Sequence, residues 1–488
     1  MLVKKIVSRY KKVPLPVKAA FWYTFCNFFN KAISLLATPI FTRIMTEAQY
    51  GTFSIFQSWF NILIVFTSLN IFMAGFTKGL LENKKDQDNF VSSQLALTSL
   101  ITIIFLVVYG INTNFWTNIF DLPPVLMYVM FAELFFMPAF EFWMAKKRLY
   151  YDYKKVVVVS IFMNIACLVT SVIAVLNVDD KVSARVFSDV AVKVAFCAPL
   201  FVYFFIRGRR FINLKYWRYA LLFNLPLLPH YLSHFILTQS DRIMIGRMVG
   251  NAQAGLYSVA YTISTVVLLL VTAINGALTP YVYRVLHEKN TKKLSEMKTI
   301  VNPLSLMMAL LCSLVALFAP EIIYLFAGVD YAEAIYIVPP VAASVYFIFA
   351  YSMFSNIGYF YKKTIRITIA TTISALLNII LNFFFINKFG YLAAGYTTLV
   401  CYVFLAVAHF LFYKSIIRKK LPMVKQIFDA KIIFLFGFVM TGFLAVVVGM
   451  YSLHPLVRYV FVLAMIVVAM AKRGNIVHVL KVIKEGKK

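Results

Sequence analysis

The residues of this sequence able to do chemistry are few, and they stand inside long apolar stretches. His230 and His234 are four apart, so on a helix they share one face, the spacing of a two-histidine metal site. No third ligand stands nearby except Asp241, two turns on. Polar lining, a protonation site and interhelical hydrogen bonding are the readings that remain, and no metal or other cofactor is expected. Asn27, Lys31, Ser34 and Thr38 recur at spacings of 4, 3 and 4, which draws one polar stripe along an otherwise apolar helix. Arg185, Asp189 and Lys193 follow one another four apart and form a charged stripe. Arg43, Arg242 and Arg247 sit near the ends of apolar stretches, and Glu133 and Glu141 stand within another.

Such a set, rich in cations and poor in carboxylates, suits a phosphate or pyrophosphate group and suits a cationic drug poorly. Simpler readings stand beside it. Asp189 and Lys193 are spaced for an intrahelical ion pair, Glu133 is a candidate partner for Lys31, and Arg43 and Arg247 are candidate interfacial anchors. Glu133, Asp189, His230, His234 and Asp241 are also the groups that could carry a coupling proton. There is no Walker loop, GxSxG, HExxH or paired CxxC, so nothing marks ATP hydrolysis or covalent catalysis, and no catalytic residue is expected.

The elements that position these groups follow from composition. Of 488 residues 62% are hydrophobic and 14% charged, too few charges to cover a water-soluble surface. Apolar runs near the ~20 residues that cross a bilayer recur from end to end. They are too continuous for the alternation of a β-barrel, so an all-α polytopic membrane protein is expected. The runs fall near 18–40, 52–79, 90–110, 122–145, 155–177, 183–206, 217–245, 253–283, 299–319, 333–357, 364–386, 390–413, 430–451 and 455–472, about fourteen transmembrane helices.

Fourteen spans with both termini cytoplasmic place 39 of the 48 Lys and Arg residues on one side, among them Lys4 to Lys18, Lys146 to Arg148, Lys425 and Lys472 to Lys488. This is the positive-inside pattern, and one span more or fewer would destroy it. The net charge of +29 therefore marks loops beside a membrane and not a nucleic-acid partner. The five cysteines all lie in apolar stretches without metal-ligand spacing and read as small core residues. On this topology Lys31 stands ~20 Å from the cytoplasmic end of its helix, near the midplane. A charge there costs at least ~2.5 kcal/mol on a lone helix unless water, a partner or a ligand meets it.

The chain also repeats itself. RIMTEAQYGTFS (43–54) and RMVGNAQAGLYS (247–258) match at Arg43/Arg247, Ala48/Ala252, Gln49/Gln253, Gly51/Gly255 and Ser54/Ser258, and DLPPV (121–125) echoes IVPPV (337–341). Each echo lies six spans apart, so the copies share an orientation, as in transporters built from two parallel bundles. Residues 1–212 and 213–415 are read as two parallel six-helix lobes, and 416–488 as two extra C-terminal helices with a basic cytoplasmic tail.

Four stretches, NKAISLLATPIFTRIMTEAQYGTFSIF from Asn30, SDRIMIGRMVGNAQAGLYSVAYTIS from Ser240, FAPEIIYLFAGVDYAEAIYIVPPVAA from Phe318 and ATTISALLNIILNFFFINKFGYLAAGYTTLV from Ala370, resemble the polysaccharide-transporter, Wzx-type flippase family. Its superfamily also holds the multidrug and toxin extrusion (MATE) transporters and the lipid II flippase. The resemblance implies two lobes enclosing a cationic cavity in a bacterial cytoplasmic (inner) membrane. It implies alternating access that carries undecaprenyl-pyrophosphate-linked oligosaccharide, a unit of O-antigen, capsule or exopolysaccharide, to the outer leaflet. The partners it implies are membrane lipid, a coupling cation (proton or sodium) and the polysaccharide polymerase and chain-length proteins. Lys31 falls where the lipid II flippase pattern has a cavity arginine, whereas its next arginine is matched by Ala37, which argues against lipid II as substrate. Two other readings compete. A cation-coupled drug exporter would be expected to have a carboxylate-rich first span, and a membrane polymerase or ligase would be expected to have a large outer loop.

Overall fold

A computed structural model describes residues 13–424 and 426–471, so the basic residues counted from Lys4 to Lys12, at Lys425 and from Lys472 to Lys488 lie outside the described residues. Among those described, all regular structure is helical. The chain divides into two compact units, Met1–Phe235 and Ile236–Lys488.

The first unit holds α1 (Leu15–Ile44), α2 (Glu47–Ser68), α3 (Ala74–Glu82), α4 (Gln87–Ile111), α5 (Thr113–Phe120), α6 (Pro124–Leu149), α7 (Tyr153–Asn177), α8 (Lys181–Gly208) and α9 (Leu214–Asn224). The division runs within α10 (Leu228–Met248). The second unit continues with α11 (Asn251–Ser264), α12 (Leu268–Glu288), α13 (Thr291–Leu317), α14 (Ala319–Ala327), α15 (Val338–Phe360), α16 (Thr364–Phe389), α17 (Ala393–Lys420), α18 (Ala430–Met450) and α19 (Pro455–Ala471). Among the described residues, eleven helical segments are long and apolar enough to cross a membrane. A count of fourteen needs three more: the longer but more polar α1 and α2, and the shorter α19.

Most expected spans lie within a few residues of a helix, and the differences have local causes. The run expected at 52–79 breaks after Ser68, because Leu69 and Asn70 take left-handed conformations (φ 49° and 46°) that end α2 before α3 begins. The run at 217–245 contains a 3₁₀ turn, Leu225–Leu227, where Pro226 lacks the amide proton an α-helix needs. The segment that follows Gly328 is a 3₁₀ helix, Val329–Ile337.

Each half of the sequence repeat starts a helix. In the first copy Thr46 and Gln49 form a capping box at α2, the Gln49 N–H donating to Thr46 Oγ1 at 3.3 Å and the Thr46 N–H to Gln49 Oε1 at 3.0 Å. In the second, Gly250 (φ 145°) precedes α11, a backbone angle that a side chain would strain. Arg43 and Arg247 each occupy the last turn of the helix before these caps.

The first unit's core is aromatic, built on Phe72, Phe76, Phe90, Phe142 and Phe204. The second unit's core is larger and centres on α15, whose Tyr346, Phe347 and Phe349 are fully buried. Helices α18 and α19 pack onto it. Gly437 of α18 brings its backbone so close to α15 that a Cβ there would lie 3.1 Å from the Phe347 ring. Beside it the Tyr346 hydroxyl donates to the Ile433 carbonyl at 2.7 Å. Arg458 of α19 forks onto Glu321 of α14 with two contacts of 2.9 Å, and it also donates to the Leu317 carbonyl at 2.8 Å.

Candidate functional site

In the first unit the polar stripe of α1 is partly open. Asn27, Lys31 and Ser34 are exposed, with Lys31 near the middle of a helix 30 residues long. Thr38 is buried, and its hydroxyl lies 3.5 Å from the Ser34 carbonyl of its own helix, so the open part of the stripe ends at Ser34. Arg43 is exposed beyond it.

Lys193 sits differently from a cation waiting for an anion. Its ammonium lies 2.6 Å from Glu133 Oε1 of α6 and 2.7 Å from Asp189 Oδ2, one turn earlier on α8. The expected Asp189 to Lys193 pair is present. Glu133, whose candidate partner was Lys31, accepts its hydrogen bond from Lys193 instead. With all three groups ionised this cluster carries one net negative charge. Glu133 is 1% exposed, and its second oxygen, Oε2, has no hydrogen-bond partner among the described residues. The thiol of Cys167 on α7 points to the Asp189 carbonyl at 3.8 Å, and the Phe60 ring lies 5.7 Å from the ammonium.

Arg185, one turn before Asp189, is enclosed by aromatic rings, its guanidinium carbon 3.7 Å from the Phe41 ring centre and 3.5 Å from that of Phe53. Lys181 donates to the Ile44 carbonyl at 2.7 Å, completing one unsatisfied carbonyl at the end of α1. The N-terminal end of α8 is thus fastened to α1. His230 and His234 both lie on α10, and among the described residues no group of three or more His, Cys, Asp or Glu could hold a metal ion.

The second unit buries Asp241 completely. Its carboxylate accepts from the Tyr257 hydroxyl, from Asn382 Nδ2 at 2.7 Å and from the Thr398 hydroxyl at 2.8 Å. Asn382 in turn accepts from the Thr397 hydroxyl, and Ser240 donates to Asn378 Oδ1 at 2.9 Å. Helices α10, α11, α16 and α17 therefore meet at one carboxylate that, among the described residues, is satisfied without a cation in hydrogen-bonding contact. Arg242, its sequence neighbour, donates to the Thr238 carbonyl at 2.6 Å and lies 4.4 Å from the Tyr261 ring centre. It is buried, whereas Arg247 one turn later is exposed.

Sequence reasoning missed Tyr257, Asn378, Asn382, Thr397 and Thr398 as members of this network. A signal was present, since Asn378 and Asn382 are four apart in an apolar helix and so share a face.

Long apolar helices around buried ionisable clusters define a multi-pass membrane protein. A family model described as polysaccharide biosynthesis protein matches residues 17–286, more than half of the chain. The chain belongs to that family, as the four quoted stretches implied. A second model, MatE, matches residues 226–384. Among solved structures it is similar to an inward-facing multidrug resistance MATE family transporter of the MOP superfamily, at 14% identity and a TM-score of 0.60, covering 80% of this chain and 96% of that one. It is also similar to a MOP superfamily transporter from Pyrococcus furiosus, at 17% identity and a TM-score of 0.55, covering 83% and 96%. A Haemophilus influenzae protein of the Lsg locus is 39% identical over 71 residues, 14% of this chain and 18% of that one. A membrane protein of the same organism is 27% identical over 176 residues, 35% and 43% of the two chains. The chain thus matches less than half the length of these two curated relatives.

Proposed function

We propose that the chain is a flippase that carries an undecaprenyl-pyrophosphate-linked oligosaccharide from the inner to the outer leaflet of a bacterial cytoplasmic membrane by alternating access. The observation that carries this reading is Lys31. It is exposed near the middle of a membrane-length helix, beside Asn27 and Ser34, in a chain of the polysaccharide biosynthesis family. An ammonium at that depth is tolerated when it meets water, a protein partner or an anionic ligand and is costly against lipid. In this reading Lys31 holds the pyrophosphate at mid-depth, and Arg43 and Arg247 receive it at the outer side. Lys193 and Arg242 are given lesser roles, since the side chains of both are largely buried. The coupling cation, a proton or sodium, acts through Glu133 and Asp189 or through Asp241.

The test is complementation of surface-polysaccharide synthesis, read beside membrane protein level, in a strain lacking the chromosomal gene. Lys31→Arg retains synthesis and Lys31→Ala loses most of it at normal protein level. Normal polysaccharide with Lys31→Ala would remove the binding role.

A second reading, a cation-coupled drug exporter, draws on the net negative Glu133, Asp189 and Lys193 cluster and on the MatE match. It predicts that loss of the gene raises sensitivity to cationic drugs while surface polysaccharide stays intact.

A further inference from the structure

Helix α6 ends in three successive cations, and two of them, Lys146 and Lys147, form ion pairs with described residues. Lys146 pairs with Asp88 at 2.7 Å. Lys147 pairs with Asp152 at 2.9 Å, a carboxylate that Lys155 also approaches at 3.7 Å. Arg148 is exposed, and no carboxylate among the described residues lies within ion-pair distance of it. Its guanidinium rests 5.8 Å from the Tyr23 ring centre, and Nη2 lies 3.9 Å from the Met144 sulfur.

Arg148 lines a cleft of about 600 Å³ together with Phe72, Thr77, Glu141 and Tyr231. That volume falls within the roughly 300–1,000 Å³ of small-molecule sites. The lining is built for a ligand of mixed character. The guanidinium offers the planar fork that matches phosphate oxygens. Glu141, two turns earlier on the same helix and so about 10 Å away along its axis, offers acceptors for hydroxyl protons. Phe72 and Tyr231 add flat apolar faces to the lining.

We propose that this cleft is a receiving site for the phosphate and first sugar of the transported lipid, taken up from the cytoplasmic leaflet before the substrate reaches Lys31. The inference rests on the flippase reading and adds to it a separate station. The phosphate sits on Arg148, and the sugar hydroxyls reach Glu141. The same phosphate chemistry is offered by bulk anionic phospholipid, from which the sugar-facing Glu141 sets this site apart.

Binding to the purified full-length protein in detergent decides the matter, with farnesyl diphosphate, farnesyl diphosphate carrying N-acetylglucosamine, and phosphatidylglycerol as probes. Arg148→Gln weakens both diphosphate probes about tenfold or more, the loss of one charge-assisted contact, and Arg148→Lys restores part of it. Glu141→Gln weakens the sugar-bearing probe and leaves farnesyl diphosphate unchanged. Wild-type affinity in Arg148→Gln would overturn the receiving site while leaving the flippase reading intact. Equal competition by phosphatidylglycerol would overturn it in favour of an ordinary lipid contact. Failure of the wild-type protein to bind either diphosphate probe would overturn both. Because Arg148 is exposed, its variants should elute as the wild-type protein does on size exclusion, which separates lost binding from lost fold.

Discussion

The two units each bury a carboxylate among membrane helices, and they satisfy it by different means. Glu133 in the first unit leans on an ammonium that it shares with Asp189, and one of its oxygens is left without a hydrogen bond. Asp241 in the second unit accepts from a phenol, an amide and a hydroxyl, and no cation among the described residues makes a hydrogen bond to it. The first arrangement depends on charge, so removing one member exposes the others. The second depends on geometry, so a neutral isostere keeps most of it.

The sharpest way to break this comparison is to delete the shared ammonium. Lys193→Met leaves Glu133 buried beside Asp189 with no counter-charge, and loss of one partner of a buried pair costs about 3–5 kcal/mol. The expected result is a large fall in melting temperature in detergent and in membrane accumulation. Adding Glu133→Gln recovers most of the loss, because the orphaned charge is gone. A single variant as stable as wild type would show that the cluster does not rely on its ion pairs.

Asp241→Asn probes the other unit and should cost less. The amide keeps one acceptor but presents a donor where the carboxylate had its second oxygen, so one neighbouring hydroxyl or amide loses its partner, at about 1–3 kcal/mol. Protein level should hold while polysaccharide complementation collapses, since the titrating or cation-attracting charge is removed. Full complementation by Asp241→Asn would take Asp241 out of coupling and leave the first unit's cluster as the candidate.

The contrast between the units also marks what could be read in advance. Helix positions and the repeat were readable because apolar length and a fixed offset need no knowledge of packing. The caps at Thr46 and Gly250 fall where the repeat put them. The pairing of Asp189 with Lys193 was readable for the same reason, being set by one turn of a helix. The contact between Lys193 and Glu133 spans 60 residues and depends on how α6 lies against α8, which no spacing encodes. The Asp241 network was hidden more completely, because Asn378, Thr397 and Thr398 are ordinary polar residues until four helices converge. The break after Ser68 was missed because no glycine or proline marks it, and the left-handed angles fall on Leu69 and Asn70. Arg458, one of nine basic residues off the cytoplasmic pattern, proves to be a clamp between α19 and α14.

That clamp supplies the smallest expected effect and extends the comparison to a third carboxylate, one at the rim. Burial alone would push the Glu321 carboxyl up. The hydrogen bonds from Arg458 and Tyr459, together with a backbone amide, outweigh it and hold the group below the ordinary carboxylate range. A group whose pKa is lowered on folding adds stability that is present above its unfolded value, about 4.3 for Glu, and is lost as pH falls through the folded value. Glu321 is 34% exposed, so solvent screening limits the contribution to about 1 kcal/mol or less. Glu321→Gln keeps the shape and removes the titration. The variant should therefore melt slightly below wild type at neutral pH, with the gap closing as pH drops below about 4. Other carboxylates titrate in the same range, Asp152 among them, held low chiefly by its hydrogen bond from Lys147. They act equally in both proteins, so the difference between the two melting curves isolates Glu321. A gap that persists unchanged at low pH would mean that the clamp works by shape and not by charge, and would move it from the company of Glu133 to that of Asp241.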